Sequence, residues 1–127
     1  MTQRWKLGEL RGEAQEALAR GAHESGESFG DRVQIIKASE ASDPPSAVVV
    51  GVSALPPGFR RDLHSHANEE VRIVLSGRGV MDLGDGSEPM NVGDVLLTGA
   101  FEAHAARPVG SRPLVLLWLI LAVCDGS

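Results

Sequence analysis

The chain has no tyrosine, one cysteine (Cys124) and two lysines (Lys6 and Lys37) in 127 residues. Without tyrosine, mechanisms that use a phenol as the acid are closed to it. Neither lysine lies in a motif, so Schiff-base chemistry has no nucleophile placed for it. A single cysteine excludes a disulfide scaffold and points to a reducing, cytoplasmic compartment. Its place at the end of an apolar run reads as a buried, inert thiol. Basic residues are also short, 12 against 17 acidic, for a net charge of −5. That balance shows no basic stripe and argues against a general nucleic-acid binder. It leaves a small anionic substrate open, since one or two local arginines suffice for that. The longest apolar run, Leu114 to Cys124, is too short to span a bilayer as a helix, which takes about 20 residues. The opening MTQRWKLGELRGEAQ lacks the apolar core of a signal peptide. No membrane partner is expected. There is no G-x-S-x-G, no P-loop and no dinucleotide fingerprint, and the glycines of GRGVMDLG lack the strand–helix context of a phosphate cradle.

What is present is turn chemistry and short strands. Fifteen glycines and seven prolines accompany a hydrophobic content of 43%, enough for one core and indicative of an all-β domain. Residues 1–28 read as an N-terminal extension with a short amphipathic helix near 6–19, stopped by Gly21. His23 sits in its polar loop as a solvated histidine. Residues 29–127 read as a β-barrel domain, with strands at 32–38, 46–55, 60–65, 70–75, 80–83, 88–92, 95–98, 103–107 and 113–124. Close spacing favours antiparallel pairing in a barrel or sandwich. Gly51, inside the second strand, marks a bulge or a close approach. The apolar last strand reads as buried on both faces, the second against a partner subunit, so a homodimer is expected.

Three of the four histidines cluster around turn glycines. His64 and His66 are two apart, so a strand sends both imidazoles to one face. Arg60 and Asp62 share that parity. Glu70 opens the next strand and can point back toward them, and His104 arrives from a distant strand once a barrel closes. Three imidazoles and a carboxylate suit a divalent transition ion such as Fe, Mn, Co, Ni, Cu or Zn. Arg72 shares the face of Glu70, where it could anchor a carboxylate or enolate oxygen or form a salt bridge to Asp62, Glu69 or Glu102. Glu102, two before His104, reads as a general base, as a partner for a ligand's second N–H, or as a solvated loop carboxylate. Asp62 carries a similar ambiguity. Phe59, Phe101, Met81, Met90, Val74, Leu96 and Trp118 are candidates for the core, some of them lining a pocket.

These residues resemble the cupins. The family's first motif, G-x5-H-x-H-x3-4-E-x6-G, is matched without a gap by Gly58, His64, His66, Glu70 and Gly77. The second is matched by Gly93 and His104; it is departed from at Gly99 and Phe101, where proline and glycine are usual, and at Pro108, where asparagine is usual. The stretch EEVRIVLSGRGVMDL is also similar to part of the acireductone dioxygenases, though the chain is too short for a full member of that group. The resemblance implies a double-stranded β-helix, a jelly-roll barrel, holding a metal ion by His64, His66, Glu70 and His104. It further implies non-haem Fe(II) dioxygenase chemistry on a small, metal-chelating substrate, an anionic one being open to it, with Arg72 orienting substrate and Glu102 moving a proton. The alternatives on the same barrel are a non-redox isomerase, lyase, cyclase or dehydratase, and a binding or sensing module without turnover.

Overall fold

A computed structural model describes residues 2–21, the backbone of 28–29, and 31–121. His23 and Cys124 lie outside the described residues. Among the described residues, helix α1 (Leu7–Ala19) is followed by ten strands: β1 (Ser28–Phe29), β2 (Val33–Ala38), β3 (Val49–Leu55), β4 (Arg60–Arg61), β5 (Glu70–Ser76), β6 (Arg78–Leu83), β7 (Gly86–Asn91), β8 (Val95–Thr98), β9 (His104–Pro108) and β10 (Leu114–Ile120). All named pairings are antiparallel. A five-stranded sheet runs β2-β3-β10-β5-β8, a three-stranded sheet runs β7-β6-β9, and β1 pairs with β4. The architecture is an all-β double-stranded β-helix with a short N-terminal helix.

Helix α1 has no side-chain cap at Lys6. Its stability comes from Leu10, Ala14 and Ala17, which recur at helical spacing and are buried on the outer face of the large sheet. There they meet Val33, Val52, Ala54, Leu75, Val115 and Leu117. A Lys37–Glu13 ion pair at 3.0 Å fastens β2 to the helix. The inner face builds a second core between the two sheets from Leu55, Phe59, Val74, Met81, Met90, Ala106, Leu114 and Leu116. Strand β10 alternates between these cores, Leu114 and Leu116 inward, Val115 and Leu117 outward. It is therefore covered on both faces, as its unbroken apolar run required. The cover on the outer face at Val115 and Leu117 comes from the chain's own helix, so the burial there calls for no second subunit.

Phe59, Val74, Met81 and Met90 are core, as expected. Phe101 is not: it is 72% exposed, on a loop with φ of 62°. That left-handed backbone is where glycine is unstrained, which explains why the motif usually carries one. The expected strand 60–65 is only two residues long, because β4 ends at Arg61 and the chain then runs irregularly to an isolated bridge at His64.

Gly77 shows the physical demand behind a motif position. Its φ is +74°, and a Cβ there would lie 2.1 Å from the Pro113 carbonyl oxygen. We expect Gly77→Ala to destabilise the fold by about 1–3 kcal/mol or more through strain and overpacking. Leu114→Ala, at a side chain with no exposure, should cost about 2–5 kcal/mol. Leu97→Ser, on the exposed outer face of β8, should stay within about 0.5 kcal/mol. Chemical denaturation of the three variants checks this order.

Candidate metal centre

Two backbone hydrogen bonds assemble the site. The His64 N–H donates to the His104 carbonyl at 3.1 Å, and the His104 N–H donates to the His64 carbonyl at 2.9 Å. This antiparallel bridge sets the two residues directly opposite each other. Their rings lie 4.4 Å apart between centroids, with that of His66 5.0 Å from that of His104. One ring nitrogen from each of His64, His66 and His104 falls within 4.8 Å of the others. The Phe101 N–H adds a tie from the 99–102 turn to the His66 carbonyl at 2.7 Å.

Each imidazole is oriented by a carbonyl two residues away. His66 Nδ1 donates to the Asn68 carbonyl at 2.8 Å and His104 Nδ1 to that of Glu102 at 2.7 Å. His64 Nδ1 faces the Asp62 carbonyl at a looser 3.4 Å. A carbonyl only accepts, so Nδ1 carries the proton and the Nε2 lone pair is left for a ligand. His104 Nε2 is fully buried and has no hydrogen-bond partner among the described residues. A buried polar atom without a partner is costly. Here it turns toward two other imidazoles, and a shared cation is a group that would satisfy it. The residues present fit a divalent transition ion.

The protonation states agree. The pKa of His64 is lowered from 6.5 to about 4, first by burial and then by the positive charge of Arg61. Burial lowers the His104 value too. Neutral imidazoles are the form that binds metal.

Glu70 and Arg72 both point inward, as their shared parity predicts, and both are buried. Glu70 Oε1 lies 3.3 Å from His66 Nε2 and 2.9 Å from Arg72 Nη2. Arg72 Nη1 donates to Thr98 Oγ1 at 3.2 Å. The partner of Arg72 is thus Glu70 and none of Asp62, Glu69 or Glu102. Same-face neighbours two apart on a strand carried that signal. Glu102 is exposed; its carboxylate accepts from the Gly99 N–H at 3.2 Å, and only its carbonyl reaches the site. Asp62 likewise serves through its carbonyl.

The site opens into a cavity of about 240 Å³ whose walls include Phe59, Leu116 and Trp118 and whose polar lining includes Arg32, Gln34, Ser53 and Arg61. Arg61 rather than Arg60 lines it, because the irregular backbone after β4 breaks simple alternation. Arg32, Gln34 and Ser53 were invisible as site residues, since only the pairing of β2 with β3 brings them to this end of the barrel.

The lowered His64 pKa makes stability pH-dependent. Above pH 6.5 the imidazole is neutral in both folded and unfolded chains, and stability is complete. Between 6.5 and about 4 the unfolded chain binds a proton that the folded site refuses, so stability falls as acid is added. The melting temperature of metal-free protein should decline across that window, and His64→Asn should flatten the decline.

Comparison with known proteins agrees with this geometry. The chain is 35% identical over 68 residues to an oxalate-binding protein of Thermotoga maritima, a match covering 53% of this chain and 56% of that one. It is 33% identical over 75 residues to a gentisate 1,2-dioxygenase of a Ralstonia species, covering 58% of this chain and 21% of that one. It thus spans about half the length of the first relative and about a fifth of the second. A crystal structure described as a predicted oxalate decarboxylase from Thermotoga maritima superposes with a TM-score of 0.68 at 26% identity, covering 76% of this chain and 84% of that one. Residues 51–120, more than half of the chain, match the family model described as the cupin domain, and the chain belongs to that family.

Proposed function

We propose that this cupin is a metal-dependent enzyme acting on a small, oxygen-bearing organic acid, with non-haem Fe(II) dioxygenase chemistry as its reaction type. The observation that carries the metal reading is the buried, unpartnered Nε2 of His104 facing His64 and His66. His64, His66 and His104 would hold the ion, with Glu70 as the fourth ligand. An ion there supplies Lewis-acid chemistry and, if iron, redox chemistry to a substrate that chelates through hydroxyl, keto or carboxyl oxygens.

The chain's own residues do the rest. The carbonyls of Asp62, Asn68 and Glu102 aim the imidazoles. Arg72 keeps the Glu70 carboxylate beside His66 and, sharing the cavity wall, orients an anionic substrate. Phe59, Leu116 and Trp118 form the apolar part of a wall that also carries Arg32, Gln34, Ser53 and Arg61. The similarity to a gentisate dioxygenase supports the oxidative reading. The similarity to an oxalate-binding protein favours a second reading, a carboxylate-binding module without turnover.

Protein purified without added metal should contain about one equivalent of a transition ion by elemental analysis. His66→Ala and His104→Ala should lose it while the barrel remains folded by circular dichroism. Stoichiometric metal retained in both variants would count against the assignment. Oxygen uptake with a panel of hydroxylated acids tests the reaction type. Product formed unchanged under strict anaerobiosis would exclude a dioxygenase, and no turnover with metal restored would favour the binding module.

A further inference from the structure

The end of the barrel away from the histidines holds a second cavity, of about 520 Å³. Three connections meet there: the β5–β6 turn at Gly77, the β7–β8 turn at Val92 and the β9–β10 loop from Val109 to Arg112. Glu70 opens β5 and Gly77 follows its last residue. The length of that strand therefore separates the cavity from the metal centre, about 20 Å at roughly 3.3 Å per residue.

Positive charge is concentrated at this end of a chain whose net charge is −5. Arg78 and Arg112 line the cavity, and no carboxylate does. Arg72 and Arg107 are engaged by Glu70 and Asp82. Among the described residues, no ion pair or hydrogen bond engages the side chain of Arg78 or of Arg112. The carboxylate of the β7–β8 turn, Asp94, accepts the Asn91 N–H at 2.8 Å and lines a different cavity.

The β9–β10 loop brings a guanidinium over its own backbone. Gly110 has a φ of +88°, and a Cβ there would stand 3.6 and 3.8 Å from Nη2 and Nε of Arg78. Arg78 thus lies across the loop rather than extended into solvent. The Val109 N–H donates to the Arg78 carbonyl at 3.0 Å and ties the loop to the same residue. Past Val109, no backbone carbonyl among the described residues accepts from the N–H of Gly110, Ser111 or Arg112. Successive N–H groups around a left-handed residue are a recurrent anion-binding arrangement. Ser111 and Asn91 add neutral donors to the lining, and Val92, 63% exposed, gives it an apolar rim.

We propose that this cavity binds a phosphate monoester, its dianion between the guanidinia of Arg78 and Arg112 and its organic group against Val92. A phosphate offers three terminal oxygens to two donor forks and a loop of N–H groups, where a carboxylate offers two. The site is separate from the metal cavity and independent of its occupancy.

The test is calorimetry on the whole chain in low salt, above the second phosphate pKa of about 6, with binding located by amide shifts in isotope-labelled protein. The probes are phenyl phosphate, inorganic phosphate and benzoate. Phenyl phosphate should bind about fivefold more tightly than inorganic phosphate and about tenfold more tightly than benzoate. It should shift the amides of Gly77, Gly110, Ser111 and Arg112. Arg78→Gln and Arg112→Gln, both at exposed positions, should each weaken it about tenfold. Val92→Ser should bring phenyl phosphate down to the affinity of inorganic phosphate and leave the latter unchanged. His66→Ala should leave phenyl phosphate binding as it was, so failure of the metal assignment does not touch this result. No binding, equal binding of phenyl phosphate and either other probe, amide shifts confined to the histidine cavity, or unchanged affinity in the arginine variants would each overturn the proposal.

Discussion

The site depends on one pair of backbone hydrogen bonds, those exchanged between His64 and His104. Short antiparallel bridges of this kind fix side-chain neighbours on one face. Here the bridge joins the irregular segment after β4 to the start of β9, and so carries two imidazoles from distant parts of the chain to within ring-contact distance. His66 follows from the first of them by two residues. Everything chemical about the cavity is arranged around that junction. The glycine turns on either side, and the fold-back at 99–102 that ties Phe101 to His66, serve to keep the junction in register.

Electrostatics at the junction is set first by burial, which lowers both His64 and His104, with the charge of Arg61 next at His64. His64 and His104 are held toward the neutral form in which imidazoles can sit together. Burial disfavours the charged form, and a carbonyl at Nδ1 leaves the lone pair on the inward nitrogen. Among the described residues the carboxylate beside them is Glu70, and it is balanced by Arg72 rather than standing alone. A buried ion pair beside an unpartnered imidazole nitrogen is a poor arrangement for stability and a reasonable one for holding a cation.

The large sheet gives this site a wall with two different sides. Its outer face is sealed by α1 over Val115 and Leu117, and its inner face continues from the inter-sheet core at Leu116 to the cavity at Trp118. Because β10 is the central strand of that sheet, packing of the helix and shape of the cavity are carried by alternate residues of the same seven-residue segment.

Much of this was legible without coordinates. The all-β class, most strand positions, the helix near the N-terminus and the inward parity of Glu70 with Arg72 follow from glycine turns and the period-two alternation of side chains. The histidine cluster was legible because only four histidines exist and three fall in motif positions. Other features were not. Periodicity predicts the face of a residue only while the strand continues, and β4 stops at Arg61; hence Arg61, not Arg60, lines the cavity. Glu102 and Asp62 act through carbonyls, which every residue possesses and no side chain advertises. The cover over β10 proved to be the chain's own helix, and an apolar run cannot say what lies against it. Sequence alone therefore determined which residue types could gather and on which side of their strands, since both are local properties. Tertiary structure decided which strands became neighbours, placing Gly51 beneath Trp118 and Arg32 at the same cavity as His64, because cross-strand register is a property of pairs of segments and not of either one.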